Sequence, residues 1–530
     1  MPLVAAQTAR AKSYDICVVG AGAAGLALGF AATTHGLSVL IVDRGEVDPP
    51  DVPNADDEHV FGTDTPHDPR AKTNSDALGG TLHRWGGRCV PFDPQDFDDR
   101  GETALPRWPI SYGDYAKWIE PAATFLGSGS VFTSPPPEPW FDAPGLSADR
   151  VEHLNDPNHV NRVQERAKND PNGPDIVTQT LARMVCVIGA RSQIELQTAG
   201  ELWTPDAAEI VLAAGGLETA RLLLVAQAQN PGLFGGSNGP LGRYYMGHLT
   251  GSVGELTFGK ASHVTVFGYA QFGPTQARRR IMLDPEDWTN TAFWIENTAP
   301  DDPRHRSGEL SFKHLIANRG RSGDLSAHMR NILTDPFGVP NAVRSALYRR
   351  LRPHSRYPNR LIARGRGPYR LCFHAEQRPL PHNRVQLSNA KDRHGQPKLK
   401  IDFHYDDDTI RALVRDHRRL ADRLNAANLA TLDLPDDDAV MAKNIAQQSR
   451  DGYHQIGLTR MADTPIQGIV DRNCKVHDVQ NLSIASAAIF PVSSQANPTL
   501  SVVAFALRLA DFLCERHKTK GETATKGMSG

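Results

Sequence analysis

Apolar and polar positions along this chain fall into runs that alternate between strand-like and helix-like. Tyr14–Val19 is apolar throughout except for Asp15, the pattern of a strand buried on both faces. It runs straight into Gly20-Ala21-Gly22-Ala23-Ala24-Gly25, then into small residues of helical character up to about His35, with Gly36 as the stop. Ser38–Val42 reads as a second strand. Glu209–Ala214 reads as another, closed by Gly215-Gly216 and followed by the helical run Leu217–Ala228. Asp406–Asp408 forms the acidic start of a helix over Thr409–Leu424. Near the carboxy end, Asn481–Phe490 reads as a strand and turn, and Thr499–Glu515 as a helix rich in Leu, Val and Ala. Strands alternating with helices predict an α/β protein.

The first of these units carries chemistry. A strand, a glycine turn, a helix, a second strand and an acid (Asp43) eighteen positions past Gly25 together make a dinucleotide-binding fingerprint. Gly20 makes the tight turn, Gly22 lets backbone approach a pyrophosphate, and Gly25 lets helix and strand pack closely. The helix N-terminus offers N–H groups and partial positive charge to the phosphates. Asp43 is expected to accept hydrogen bonds from ribose hydroxyls. The motif alone does not separate FAD from NAD.

Composition narrows the class. The chain has 530 residues, long enough for two domains, with 40% hydrophobic and 22% charged residues. A net charge of −2 gives no overall field toward nucleic acid or an anionic membrane. Its 45 glycines and 38 prolines favour many long loops. The six cysteines are scattered, so iron–sulfur, structural zinc and c-type haem sites are not expected. No motif stands at metal spacing, and no metal is expected. Met1–Ser13 has no secretory pattern, and the uncharged stretches Ile16–Thr34 and Ser483–Leu507 carry the glycines and prolines of buried α/β elements. A cytoplasmic protein without a membrane span is the expectation. Asn341–Arg370 holds nine arginines and no acid; interleaved prolines argue against one long helix, and a solvated insertion is expected there rather than a nucleic-acid site.

Two further segments are distinctive. Leu78–Arg88 (LGGTLHRWGGR) packs four glycines around Trp85, suiting close backbone approach to a large flat ligand. Tyr453-His454-Gln455-Ile456-Gly457 is followed forty-three positions after His454 by Asn497-Pro498-Thr499. Asn497 is a favoured N-cap and Pro498 suits a first helical position, so the positive end of a helix should lie beside Asn497.

With these pieces in family order, together with Asn238–His248 (NGPLGRYYMGH) and Ala375–Phe403, the chain resembles the glucose–methanol–choline (GMC) oxidoreductases, FAD-dependent alcohol oxidases and dehydrogenases. The resemblance implies a Rossmann-type FAD-binding domain with a parallel sheet plus an α+β substrate domain containing an antiparallel sheet. The FAD domain would comprise 13–250, with a flavin loop at 78–98, and a return segment 451–517. Residues 251–450 would form the substrate domain and 518–530 a polar, disordered tail. It implies a catalytic pair, His454 as general base and Asn497 as donor to the developing alkoxide. Cofactor contacts are expected from Gly20, Gly22, Ala24, Gly25, Asp43, Arg44, Gly80, Thr81, Arg84, Trp85, Gly86, Gly87, Val185, Ala214, Gly215, Ser486, Ala487, Pro498 and Thr499. Ser486 stands where the family usually has an aspartate; Arg84 either neutralises flavin or substrate charge or is solvated. In fungal pyranose oxidases a histidine directly before the tryptophan bonds FAD covalently; here that slot is Arg84, with His83 one residue earlier, so FAD is expected to be non-covalent.

The implied reaction oxidises a CH–OH group, on a sugar or glycoside by likeness to the pyranose-oxidase and sugar-dehydrogenase branch, with hydride passing to flavin N5. Oxygen, a quinone or a carrier protein would be the electron acceptor. Three alternatives stand beside it: a non-sugar alcohol as substrate, a non-redox FAD-containing lyase of the same family, and an electron-transfer partner docking through the arginine-rich segment.

Overall fold

The computed structural model describes residues 3–50, 59–99, 107–130, 141, 143–272, 275–284, 286, 288–321, 323–351 and 361–528. The apolar runs become a five-stranded parallel sheet. Its order is Leu482–Ile484, Asp206–Leu212, Ser13–Val19, Val39–Val42 and Asp175–Val177. The centre strand is buried from Tyr14 onward except at Asp15, as its sequence required. Helix Ala23–Thr34 and the long carboxy-terminal helix, which starts at Thr499, pack together beside it. Strand Leu482–Ile484 brings the last part of the chain back into a sheet begun near its start. The antiparallel meander Thr180–Ile188, Arg191–Thr198 and Glu201–Trp203 lies beyond the sheet's end.

The second body is a six-stranded sheet in the order Ala430–Asp433, His248–Phe258, Tyr369–Glu376, Thr291–Asn297, Ile281–Leu283 and Leu146–Ser147. Every neighbouring pair is antiparallel. Helices Asp407–Ala426 and Asp438–Gln448 cover it, the first capped by Asp406, whose side chain accepts from Thr409 N–H. Leu146–Ser147 belongs to this sheet although it precedes position 251, because it pairs with Ile281–Leu283.

One segment departs from expectation. The last helix continues to Met528, past position 518 where a disordered tail was expected; extending an existing helix needs no new nucleus, which a polar composition does not prevent. Within the arginine-rich stretch, Gly338–Leu351 forms a helix, with Pro340 in its first turn where a missing N–H costs nothing; residues 352–360 lie outside the described residues.

A buried imidazole sits in the second core. His417 is fully buried, edge-on to Phe293 and Phe373 at 5.0 and 5.2 Å. Burial pushes its pKa down to about 4. Between that value and the ~6.5 of an unfolded histidine, only the unfolded chain takes the proton, so stability falls as pH falls. Its contribution approaches ~1.4 kcal/mol per pH unit. Urea unfolding followed from about pH 7 to pH 4.5 should show a slope to which the other buried histidines also add, and His417→Leu should reduce it by up to ~1.4 kcal/mol per pH unit. An unchanged slope in the variant would dismiss the assignment.

Candidate active site

The glycine turn is built as its spacing required. A Cβ on Gly25 would lie 1.9 Å from the Gly20 carbonyl oxygen, so only glycine lets this helix meet this strand. Nothing lies within 4 Å of where a Gly22 Cβ would sit, and no side chain caps the helix that Gly22 opens. The loop's N-terminal N–H groups thus face open space, as a pyrophosphate needs. The segment 78–80 closes over this turn: Gly79 N–H donates to the Ala21 carbonyl at 2.9 Å, and Gly80, at φ +54°, sits against Gly22.

Asp43 has a task that spacing did not predict. Its carboxylate accepts from Ala21 N–H (2.6 Å) and Gly45 N–H (2.7 Å), bracing the glycine turn. Burial raises its pKa against those two bonds. Any ribose hydroxyl it receives comes in addition to this role. Beside it a cavity of about 710 Å³ opens between Arg44 and Gly45 on one side and Arg84 on the other. The Arg84 Nε is buried without a hydrogen-bond partner. An open helix N-terminus and a glycine cradle, with Arg44, Arg70 and Arg84 lining the cavity beside Asp43, fit a bulky anionic dinucleotide.

Other expected contacts divide. Val185 is buried in its meander strand; Ala214 and Trp85 are half-buried, and Thr81 and Gly86 are exposed. Gly87, at φ +73°, lies against the Asn155 side chain. Gly215 opens helix Gly216–Gln229, and Gln455 is pressed so closely on it that a Cβ at Gly216 would sit 2.3 Å from the Gln455 carbonyl oxygen. Ser486 accepts from Ala488 N–H at 3.2 Å, so its hydroxyl is turned onto its own backbone, with Ala487 half-buried beside it. His83 points away from the tryptophan: its Nε2 bonds the Leu78 carbonyl at 2.9 Å, and Gln164 approaches the same nitrogen.

The structure brings His454 and Asn497 together. Asn497 Nδ2 stands 3.5 Å from His454 Nε2. Asn497 does not cap the helix after it: that helix starts at Thr499, and its first turn is closed by Val502 N–H donating to the Pro498 carbonyl. The side chain is free because Arg280 claims its oxygen, donating from Nη2 to Asn497 Oδ1 at 3.2 Å. The amide NH₂ is therefore left facing the imidazole.

Sequence reasoning missed what holds the imidazole. Asp451 Oδ2 accepts from His454 Nδ1 at 2.9 Å and from His248 N–H at 2.7 Å; Oδ1 accepts from the backbone N–H of Gly452, Tyr453 and His454. Burial raises this carboxyl's pKa, but His454, His248 and the amides outweigh it, and the group lies well below the ordinary carboxylate range. The fold also gathers three histidines scattered in sequence, His248, His374 and His454, with ring nitrogens within 4.8 Å of one another. Two of them are committed to carbonyls: His248 Nε2 to Ser493 (3.1 Å) and His374 Nδ1 to Gln495 (2.8 Å). A carbonyl only accepts, so those nitrogens carry the protons. His248 Nδ1 is then an acceptor, 3.0 Å from His454 Nδ1. The chain of bonds places the His454 proton on Nδ1 and leaves a lone pair on Nε2, toward Asn497. The rings of His248 and His374 stack at 4.1 Å, a packing contact rather than converging ligands. Burial lowers the pKa of both, to about 3 for His248.

Arg280 was also missed, because Arg278-Arg279-Arg280 reads as a solvated charge run. Arg280 is fully buried; it donates to Glu152 at 2.6 Å and to the Gln495 side chain. Glu152 also meets Arg278 (3.0 Å), Arg88 (3.5 Å) and the Tyr269 hydroxyl. Burial opposes the Glu152 charge, and the three guanidiniums more than offset it. The signals available were Asp451 three positions before His454, and His248 at the end of NGPLGRYYMGH.

Comparison with known proteins agrees with this architecture. Residues 379–506 match the family model described as GMC oxidoreductase. The 2-methyl-1,2-propanediol dehydrogenase of Mycolicibacterium austroafricanum is 20% identical, with 96% of each chain covered. Paromamine 6'-oxidase of Streptomyces fradiae is 24% identical over 94% of this chain and 91% of that one. Among solved structures, a formate oxidase superposes with a TM-score of 0.55 at 17% identity, covering 96% of this chain and 99% of its own. In its fold, its carboxy-terminal family match and its full-length relatives, the chain is similar to the GMC oxidoreductases.

Proposed function

We propose that the protein is an FAD-dependent oxidoreductase that converts a CH–OH group of a sugar or glycoside to a carbonyl. The observation that carries this reading is the His454 imidazole, with Nδ1–H fixed on Asp451 at 2.9 Å and its Nε2 lone pair set 3.5 Å from the Asn497 amide. An alcohol oxygen placed between them meets an acceptor for its proton and a donor for its developing charge.

The Gly20–Gly25 turn, Arg44 and Arg84 would hold FAD, non-covalently, since His83 is engaged at Leu78. Bound there, FAD supplies the hydride acceptor, at N5, for the carbinol carbon. His454 Nε2 takes the hydroxyl proton, and the Asp451 carboxylate stabilises the resulting imidazolium without moving. Asn497 Nδ2 donates to the oxygen as negative charge grows. Arg280 fixes the amide's orientation, so the donor faces the oxygen before reaction begins. One hydride, which carries two electrons, leaves the substrate carbon and one proton leaves its oxygen; an external acceptor returns the cofactor to its oxidised state.

A polyhydroxy substrate suits the pocket. His374 Nε2 is a buried acceptor with no hydrogen-bond partner, so it can receive a second hydroxyl. The relative named for 2-methyl-1,2-propanediol acts on a vicinal diol, the arrangement that sugars repeat.

Anaerobic stopped-flow with a panel of sugars, glycosides and simple alcohols tests the reaction through bleaching of the flavin band. His454→Ala should slow that bleaching by about 10²–10⁴ while FAD remains bound. Undiminished bleaching would remove His454 from the chemistry, and no bleaching by any alcohol would favour a non-redox role. Asn497→Leu should lower the reductive rate constant by roughly 10²-fold or more, with a smaller effect on substrate affinity. An equal loss in both would make Asn497 a binding group only.

A further inference from the structure

One part of the molecule is built inside out. Between strands Thr291–Asn297 and Tyr369–Glu376 the chain makes helices Gly308–Ala317, Leu325–Thr334 and Gly338–Leu351. In the middle helix the inward face is polar: His328 is fully buried on the Ser311 hydroxyl, and Asn331 donates to Ser311 and to the Pro303 carbonyl. Its outward face is apolar. Leu325, Met329 and Leu333 follow one another at helical spacing, and Phe337, Val343 and Leu347 beyond them are exposed as well. Leu333 and Phe337 are 75% and 77% exposed. Of the twelve large apolar side chains exposed among the described residues, seven lie between positions 316 and 347, so the stripe is a local design rather than scatter.

Exposed Arg330, Arg344 and Arg350 stand among these side chains, and positions 341–370 contain no acidic residue; the acids at the ends of the middle helix are Asp324, which is exposed, and Asp335, which is paired with Arg364. It also lies away from the active site. Asn297 pairs with Tyr369 at the insertion's root, while His374 stands five residues further along the same strand, roughly 16 Å away at strand rise.

We propose that this helical face docks the protein on the surface of an anionic phospholipid bilayer. Leu, Met and Phe would enter the headgroup–acyl boundary, and the arginines would meet lipid phosphate. A convex stripe of flexible apolar side chains needs a yielding phase more than a complementary groove. A second copy of the chain fits less well, because a two-fold contact places the same patch on itself and sets arginine against arginine. Among the described residues no helix is long and apolar enough to cross a membrane, so the contact would be peripheral.

The test is co-sedimentation of FAD-loaded protein with sucrose-filled vesicles, either phosphatidylcholine alone or an equal mixture with phosphatidylglycerol. The expected result is pelleting with the mixed vesicles, weakened about tenfold on phosphatidylcholine and by high salt. The double variant Leu333→Asp/Phe337→Asp should lose pelleting by about tenfold or more, with flavin content and oligomeric state unchanged. Equal or no pelleting on the two lipids overturns the proposal, and that arm uses the unmodified protein alone. Light scattering that shows a dimer dissolved by the double variant would also overturn it, assigning the face to a second copy. The readout needs no turnover, so it stands or falls apart from the alcohol-oxidising reading.

Discussion

A single buried carboxylate joins the two halves of this molecule. Asp451 accepts from the amides of Gly452, Tyr453 and His454, from the amide of His248, and from the His454 ring. His248 begins the antiparallel sheet; residues 452–454 begin the return to the parallel one. The group that sets the imidazole's tautomer is thus the group that locks one layer of the fold to the other. Gly247 packs directly on it, where a Cβ would lie 2.6 Å from the carboxylate oxygen. A charge so thoroughly hydrogen-bonded stays ionised in a dry site, and an imidazole bonded to it can gain a proton without an unbalanced buried cation.

The second constraint is the cluster of Glu152 with Arg88, Arg278 and Arg280. One carboxylate shared by three guanidiniums leaves local positive charge, stabilised in part by the faces of Trp294 and Tyr269 under Arg278. Arg280 carries that charge to Asn497 and Gln495. A site in which negative charge accumulates on an oxygen gains from fixed positive charge nearby, since nothing must reorganise at the moment of reaction. On the proposed reaction the two devices are complementary: Asp451 would provide for a proton arriving on His454, and the arginine cluster for negative charge arriving beside Asn497.

The parallel sheet and the glycine turn were legible because local pattern dictates them: a doubly buried strand must be apolar, and only glycine tolerates the approach seen at Gly25. His454 and Asn497 were legible through the motifs around them. Their supports were not. Arg280 looks like surface until strand pairing buries it beside Glu152, and His374 is one of twenty histidines until the sheet sets it against His248. Buried polar partners are chosen by tertiary contact, which leaves no period in the chain. Asp43 shows the converse: the acid stood where the fingerprint puts it, yet spacing could not show that its oxygens already brace the turn.

The same antiparallel strands carry both ends of the molecule's business. At one end His374 stands beside His248 and His454; at the other, Asn297 and Tyr369 pair at the root of the three-helix insertion. A helix with His328 and Asn331 inside and Leu333 outside contradicts the usual ordering of a folding core. Its inner hydrogen bonds engage His328 Nδ1 and the Asn331 amide but leave His328 Nε2 without a partner, so this polar packing contributes little to stability. Such an element earns its place only by what its outer face meets. About 16 Å of strand separates the insertion's root from His374, so on the two proposals attachment to a surface need not disturb the few tenths of an ångström on which proton and hydride transfer would depend.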